Sequence, residues 1–195
     1  VLSVTPAALT VTADNKSKVY GAANPTFTSV VTGAQNSETF TVTYNCAAIG
    51  TTAVGTSTPI VPSITNANYN ITVVDGVLSV TPAALTVTAD NKSKVYGSAN
   101  PTFTSVVTGA QNSETFTVTY TCAATVTTAV GTSTPIIPSV TNANYSITPV
   151  NGVLSVTPAA LTVTADNKSK VYGASNPGFT SVVTGAQNSE TFTVT

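Results

Sequence analysis

Apolar and polar residues alternate with a period of two along several short stretches of this chain. Leu9, Val11 and Ala13 alternate with Thr10 and Thr12, and Phe40, Val42, Tyr44 and Cys46 alternate with Thr39, Thr41, Thr43 and Asn45. Tyr69, Ile71 and Val73 continue the pattern, and Leu78 and Val80 resume it after Asp75-Gly76. Successive side chains of a strand point to opposite faces, so this spacing predicts strands with one wet face. Gly21, Asn24-Pro25, Gly33, Gly50 and Gly55 punctuate them as turns. The pattern predicts roughly six or seven short strands and no helix in each such stretch. The expected fold class is all-β to mostly-β: a twisted antiparallel or mixed sheet closing on itself, β-grasp-like, or on a second small sheet, β-sandwich-like.

The same stretch recurs. Val-Leu-Ser-Val-Thr-Pro-Ala-Ala-Leu-Thr-Val-Thr-Ala-Asp-Asn-Lys-Ser-Lys-Val-Tyr-Gly begins at Val1, at Val77 and at Val153, a period of 76 residues. That length suits a small independently folded β unit and is too long for a solenoid coil. The first two copies differ at nine positions, among them Asn45/Thr121, Ile49/Thr125, Gly50/Val126, Val73/Pro149 and Asp75/Asn151. Residues 76–81 read as a closing strand and residues 85–89 as an opening one, so the joint is placed at Pro82. The expected organisation is 1–6 as the last strand of a preceding repeat, 7–82 and 83–158 as complete repeats, and 159–195 as a partial one. A short linker led by proline, whose φ is fixed, favours an elongated, stiff array.

Composition removes whole classes of function. Only 7% of the 195 residues are charged and the net charge is −1, which leaves no electrostatic footprint for nucleic acid or an anionic membrane. His, Met, Trp and Arg are absent, taking with them the commonest general base, the commonest metal ligand and the bidentate phosphate clamp. No Ser-x-x-Lys or Gly-x-Ser-x-Gly motif accompanies the abundant serines, so no enzyme is expected. No cofactor is expected either, since one cysteine per repeat without histidine cannot ligate haem or an iron–sulfur cluster. No apolar run is long enough to span a membrane as a helix.

Residues dispersed through each period resemble a known family. Leu9-Thr-Val-Thr-Ala13, Asn15, Lys18, Tyr20-Gly21, Asn24-Pro25 and Phe27, then Asn68-Tyr69-x-Ile71 and Gly76-x-Leu78, are similar to the MBG (mostly β-grasp) repeat family. The resemblance implies a bacterial surface or secreted protein in which such units stand in tandem, often as adhesin stalks, without enzymatic activity of their own. Two positions depart from the family pattern: Gly55-Thr56-Ser57, where an aromatic often follows Gly-Thr, and Cys46.

Each unusual cluster has a functional and an ordinary reading. Asp14-Asn15-Lys16-Ser17-Lys18 suggests a cation site, or a Lys–Asn isopeptide crosslink assisted by Glu38. A solvated hairpin is the expectation, because Ca²⁺ wants six to eight oxygens. Asn15, Asn70, Asn91, Asn144 and Asn167 fit the Asn-x-Ser/Thr acceptor pattern for glycosylation, a short motif that this composition produces by chance. The Thr10/Thr12 and Thr39/Thr41/Thr43 ladders suggest an ice- or glycan-facing array, and are expected to be solvent-facing strand residues. Tyr20, Tyr69 and Asn68 suggest a sugar platform, and local ring packing is expected. Glu38, Thr39, Phe40, Thr41, Val42 and Thr43 form a candidate sheet edge for strand addition from another chain. Cys46 and Cys122 occupy equivalent places in successive repeats and are expected to remain unbonded to each other, as buried thiols. An inter-chain staple is the competing reading.

The expected function is a structural repeat array of an extracellular surface protein or fibre, acting by length, stiffness and self-association. A glycan- or host-surface-binding module drawing on avidity is the alternative.

Overall fold

The computed structural model describes residues 1–195. It contains strands and turns only. In the first repeat the strands are β1 (Ala7–Ala13), β2 (Lys16–Val19), β3 (Ser29–Thr32), β4 (Thr43–Asn45), β5 (Ser57–Ser63), β6 (Tyr69–Val74) and β7 (Gly76–Thr81). The second repeat carries β8 (Ala83–Ala89), β9 (Lys92–Val95), β10 (Ser105–Thr108), β11 (Thr119–Thr121), β12 (Ser133–Ser139), β13 (Tyr145–Val150) and β14 (Gly152–Thr157). The third carries β15 (Thr162–Ala165) and β16 (Ser181–Thr184).

The first repeat folds as two small sheets, of order β3-β1-β6 and β2-β7-β5-β4. β1 lies antiparallel to β3 and parallel to β6, while β2 lies parallel to β7. Within a single extended run the chain changes sheet at two places, between β1 and β2 at Asp14-Asn15 and between β6 and β7 at Asp75. Each change divides one extended run between two cores. Leu9, Val11 and Tyr69 are buried in the first, with Val31, Phe40, Val42, Ile64 and Ile71 against them. Ala13, Ala48, Ile60 and Leu78 are buried in the second, with Phe27, Tyr44 and Cys46 against them. The second repeat has the corresponding orders, β10-β8-β13 and β9-β14-β12-β11.

β5 carries Pro59 and Pro62 although it lies inside its sheet. Its first half pairs only with β7 and its second half only with β4. Each half is therefore an edge on one side, where a missing N–H is tolerated.

By density of contacts the chain divides into two compact units. One comprises Val1–Thr86 with Val107–Phe116 and Val140–Thr148, and the other Val87–Val106 with Thr117–Ser139 and Pro149–Thr195. The first unit joins the first repeat to two segments of the second, and the other joins the rest of the second repeat to the third. A core of Ala89, Ala124, Ile136 and Leu154 anchors the latter, with Phe103, Tyr120 and Cys122 packed on it.

Two expectations are corrected. Residues 38–46 are not one strand: only Thr43–Asn45 is laddered. Phe40 and Val42 pack on the first core while Tyr44 and Cys46 pack on the second, so the alternating segment crosses between sheets and finds a backbone partner only at its end. The charged segment 14–18 is not a solvated hairpin either. Lys16–Val19 is strand β2, and Lys18 is 6% exposed.

Candidate functional site

The motif Lys18-x-Tyr20-Gly21-x-x-Asn24-Pro25 builds a rigid turn around one buried ammonium. Strand β2 points Lys18 inward, and its Nζ donates to Ala22 O at 3.1 Å, Asn24 Oδ1 at 2.9 Å and Ile49 O at 2.6 Å. A lysine has three donors, and all three are used. Asn24 passes the connection on, its Nδ2 donating to Ala48 O at 2.8 Å. Lys94 repeats the arrangement with Ser98 O, Asn100 Oδ1 and Thr125 O. Ile49 and Thr125 differ between repeats, but only their carbonyls are used. A buried charge is tolerated when it is fully hydrogen-bonded, so the motif reads as a structural brace.

The brace presents Tyr20 and Gly21 to the next repeat. Within the first unit, Tyr20 is 3% exposed, and its ring meets Tyr145 edge-on with centroids 5.5 Å apart. Its hydroxyl donates a hydrogen bond to Glu114 Oε1. Glu114 Oε2 accepts the Tyr145 hydroxyl at 2.6 Å, so one carboxylate bridges a tyrosine from each repeat. Val54 N donates to Asn144 Oδ1 at 3.0 Å, and Asn112 Nδ2 donates to Gly50 O at 3.4 Å. Gly21 has φ +84°, and a Cβ there would lie 2.6 Å from the Gln111 side chain. Glycine is needed at this position both for its backbone conformation and for the close approach.

The receiving turn is itself strained. Asn112 and Ser113 have φ 52° and 59°, and Glu114 N donates to Gln111 O at 2.9 Å, a type I′ turn built without glycine. The same conformation holds at Asn36-Ser37 and Asn188-Ser189. Such strain persists where the surroundings fix it, and here it aims Gln111, Asn112 and Glu114 at one neighbour.

Within the other unit the contact recurs. The Tyr96 hydroxyl donates to Glu190 Oε1 at 2.6 Å, and Asn188 Nδ2 donates to Val126 O at 3.3 Å. Gln187 lies against Gly97. Gly50 and Val126 are another pair that differs between repeats, and again only the carbonyl is used.

Charge makes the clasp sensitive to pH at both ends of the scale. Hydrogen bonds from Tyr145 and Tyr20 hold the Glu114 carboxyl below its ordinary value of 4.5. The bond to Glu114 raises the Tyr20 phenol above its ordinary 10.0. Burial, then the same carboxylate, raises Tyr145.

The other sequence-derived candidates fall as follows. Glu38 is not an edge-strand residue: it accepts the Tyr69 hydroxyl at 2.8 Å, and residues 39–42 lie outside any strand, with Thr43 opening β4 at the edge of its sheet. Lys18 bonds to Asn24 and no carboxylate, so the acid assumed for a crosslink is engaged elsewhere. Tyr69 and Asn68 line one recess, whereas Tyr20 packs against the following repeat. Asn15 and Asn91 are exposed and accept from Val77 N and Val153 N, Asn144 lies in the clasp, and Asn70 and Asn167 are exposed. Cys46 and Cys122 are free thiols, half-buried against equivalent cores. Sequence reasoning missed the clasp. Its signal is the recurrence of Tyr-Gly and Gln-Asn-Ser-Glu once per period, with the single glutamate of each repeat always in that turn.

Comparison with known families gives one finding: the MBG domain (YGX type) matches at residues 9–79, 85–155 and 161–195. No curated protein matches the chain.

Proposed function

The chain belongs to the MBG domain family of YGX type, and from that premise we propose that it is a spacer segment of an extracellular surface protein or fibre, acting through length and stiffness. The observation that carries this reading is the clasp made twice by the same residues, Tyr20 to Glu114 and Tyr96 to Glu190, each pair 94 residues apart. A buried tyrosine and a shared carboxylate at the first contact, and the corresponding Tyr96–Glu190 bond at the second, resist bending between repeats. Adding repeats then adds length without adding slack. The extracellular setting rests on the family resemblance. A glycan-binding role draws no support from the tyrosines that suggested it, since Tyr20 and Tyr69 are both buried.

Arrays differing only in repeat number, imaged by electron microscopy, test the mechanical part. A constant length increment per repeat supports the reading, and collapsed or randomly bent particles refute it. Antibody labelling of intact cells tests the location: surface staining agrees with it, and staining only after lysis contradicts it.

A further inference from the structure

The chain enters and leaves the first repeat along two extended runs. Residues 7–19 contain β1 and β2, and residues 69–81 contain β6 and β7. The two runs lie side by side and parallel. Ala7 is opposite Tyr69 and Thr12 opposite Val74 in one sheet, then Lys16 is opposite Leu78 and Val19 opposite Thr81 in the other. The register is the same on both sides of the sheet change, so neither run gains or loses a residue there. Backbone bonds close the ladder at its two ends, Ala7 N to Asn68 O and Tyr20 N to Thr81 O, each at 2.9 Å.

At the sheet change itself, a side chain and a glycine keep the runs together. Asn15 lies between β1 and β2, outside either strand, and its Oδ1 accepts from Val77 N at 2.7 Å. That side chain supplies an acceptor where the backbone ladder is interrupted. Gly76 permits the approach, since a Cβ there would lie 2.7 Å from Asp14 O and 2.8 Å from Ala13 O. Thr81 Oγ1 adds a further bond, to Lys18 O at 3.2 Å. Within the other unit two of these contacts recur, Tyr96 N to Thr157 O at 2.9 Å and Val153 N to Asn91 Oδ1 at 2.8 Å.

Parallel pairing decides how such a repeat meets tension. A pull arriving through the chain enters at the start of the first run and leaves at the end of the second. Those are opposite ends of one ladder, so the runs separate only by sliding past each other, with all the cross-links loaded together. Were the runs antiparallel, the pull would act at one end of the ladder and open its bonds one at a time. A single hydrogen bond is weak, so the resistance lies in loading many at once. Only Pro82 separates Thr81 from β8, so load leaving the first repeat passes directly into the first run of the second.

We infer that the repeat is a shear clamp, a tension-bearing element whose parallel terminal runs, riveted by Asn15 at the sheet change, resist stretching of the chain far better than they resist peeling. The inference deepens the spacer reading and rests on it for the direction of load. Forced unfolding follows the unfolding rate and not the equilibrium stability, so the clamp is a property separate from the stability of the core.

Single-molecule force spectroscopy of the 195-residue chain tests this by changing only the direction of pull. In one arrangement the handles are attached at Val1 and Thr195. In the other, azide-bearing side chains at the exposed positions Thr5 and Ala67 carry them, both beside the end of the ladder where Ala7 meets Asn68, so that the same runs are peeled apart. The peak force with end handles is expected to exceed the peeling force several-fold. Asn15→Ala combined with Asn91→Ala is expected to lower the end-to-end force and to leave the peeling force nearly unchanged, because peeling meets one bond at a time. Equal forces in the two directions overturn the inference, and so does a doubly substituted chain that resists end-to-end pulling as well as the unsubstituted one. The comparison of directions needs no change within the ladder, so it decides the matter even for a double variant that does not fold. A low force ratio would leave a constant length increment per repeat standing, and irregular increments would leave a high force ratio standing.

Discussion

The first and third repeats are nearly the same sequence in two different settings. Leu9 and Val11 are 1% and 0% exposed in β1, whereas Leu161 and Val163 are 42% and 48% exposed. The local pairing survives: β15 meets β16 antiparallel with Thr162 opposite Thr184, just as Thr10 meets Thr32. Residues 159–195 correspond only to residues 7–43 of the first repeat, so the strands equivalent to β5, β6 and β7 are not among them and the comparison isolates what the local pairing does alone. Residues 168–171 form no strand, and Lys170 keeps its bond to Asn176, the equivalent of one of the three that Lys18 makes. In the first repeat β6 and β7 run parallel to β1 and β2, and one tie across them, Val77 N to Asn15 Oδ1, spans 62 residues. A short antiparallel pair is local, whereas the core depends on distant parallel strands whose loop-closure entropy is recovered only when the whole repeat is present.

The largest expected effect separates the two settings at one side chain. Leu9→Ala leaves a cavity in a closed core and is expected to cost about 2–5 kcal/mol. Leu161→Ala, at the equivalent half-open site, is expected to cost about 1 kcal/mol or less. Urea unfolding of both variants checks this, and equal losses would mean that the third repeat is as fully cored as the first.

The brace sharpens the comparison next. Lys18→Met strands buried carbonyls and the Asn24 amide, with an expected loss of about 1–3 kcal/mol. Lys170→Met is expected to cause a much smaller shift in the same unfolding midpoint, because Lys170 is exposed. The glycines then separate strain from contact. Gly21→Ala and Gly173→Ala both force a left-handed alanine, costing about 1–2 kcal/mol. Only Gly21→Ala also displaces Gln111, so its midpoint should fall further than that of Gly173→Ala.

The smallest effect is the pH dependence of the clasp. The Glu114 value is depressed on folding, so its contribution is present above its ordinary 4.5 and fades as pH falls through the lower folded value. The Tyr20 value is raised, so its contribution is complete below 10.0 and fades as pH rises through the higher folded value. Thermal unfolding should therefore show a plateau between those limits with a decline on each side. Glu114→Gln should flatten the acid decline.

Much of this was legible in the alternation of residues. The 76-residue period, most of strand β1 (Ala7–Ala13) and the opening strand after Pro82 follow from spacing and turn chemistry, whereas Asp75-Gly76, expected as a turn, is an extended crossing from β6 into β7. Residues 38–46 were misleading because period two reports which side chains face a core and not which core they face. Lys18 was misleading because charge suggests water, and nothing local announces that three acceptors from distant turns will converge on it. The clasp was illegible for the same reason. Tyr20 and Glu114 are 94 residues apart, and only the fold brings the Tyr-Gly turn of one repeat onto the glutamate turn of the next.

The central claim is that these two residues act as one device joining repeats, and a double-mutant cycle tests it most directly. Urea unfolding midpoints would be measured for Tyr20→Phe, Glu114→Gln and the double variant. Each single change should lower the midpoint, and Glu114→Gln should cost clearly less in the Tyr20→Phe background than in the wild type, because the shared hydrogen bond has already gone. Losses that simply add would contradict the account, since the tyrosine and the carboxylate would then act independently.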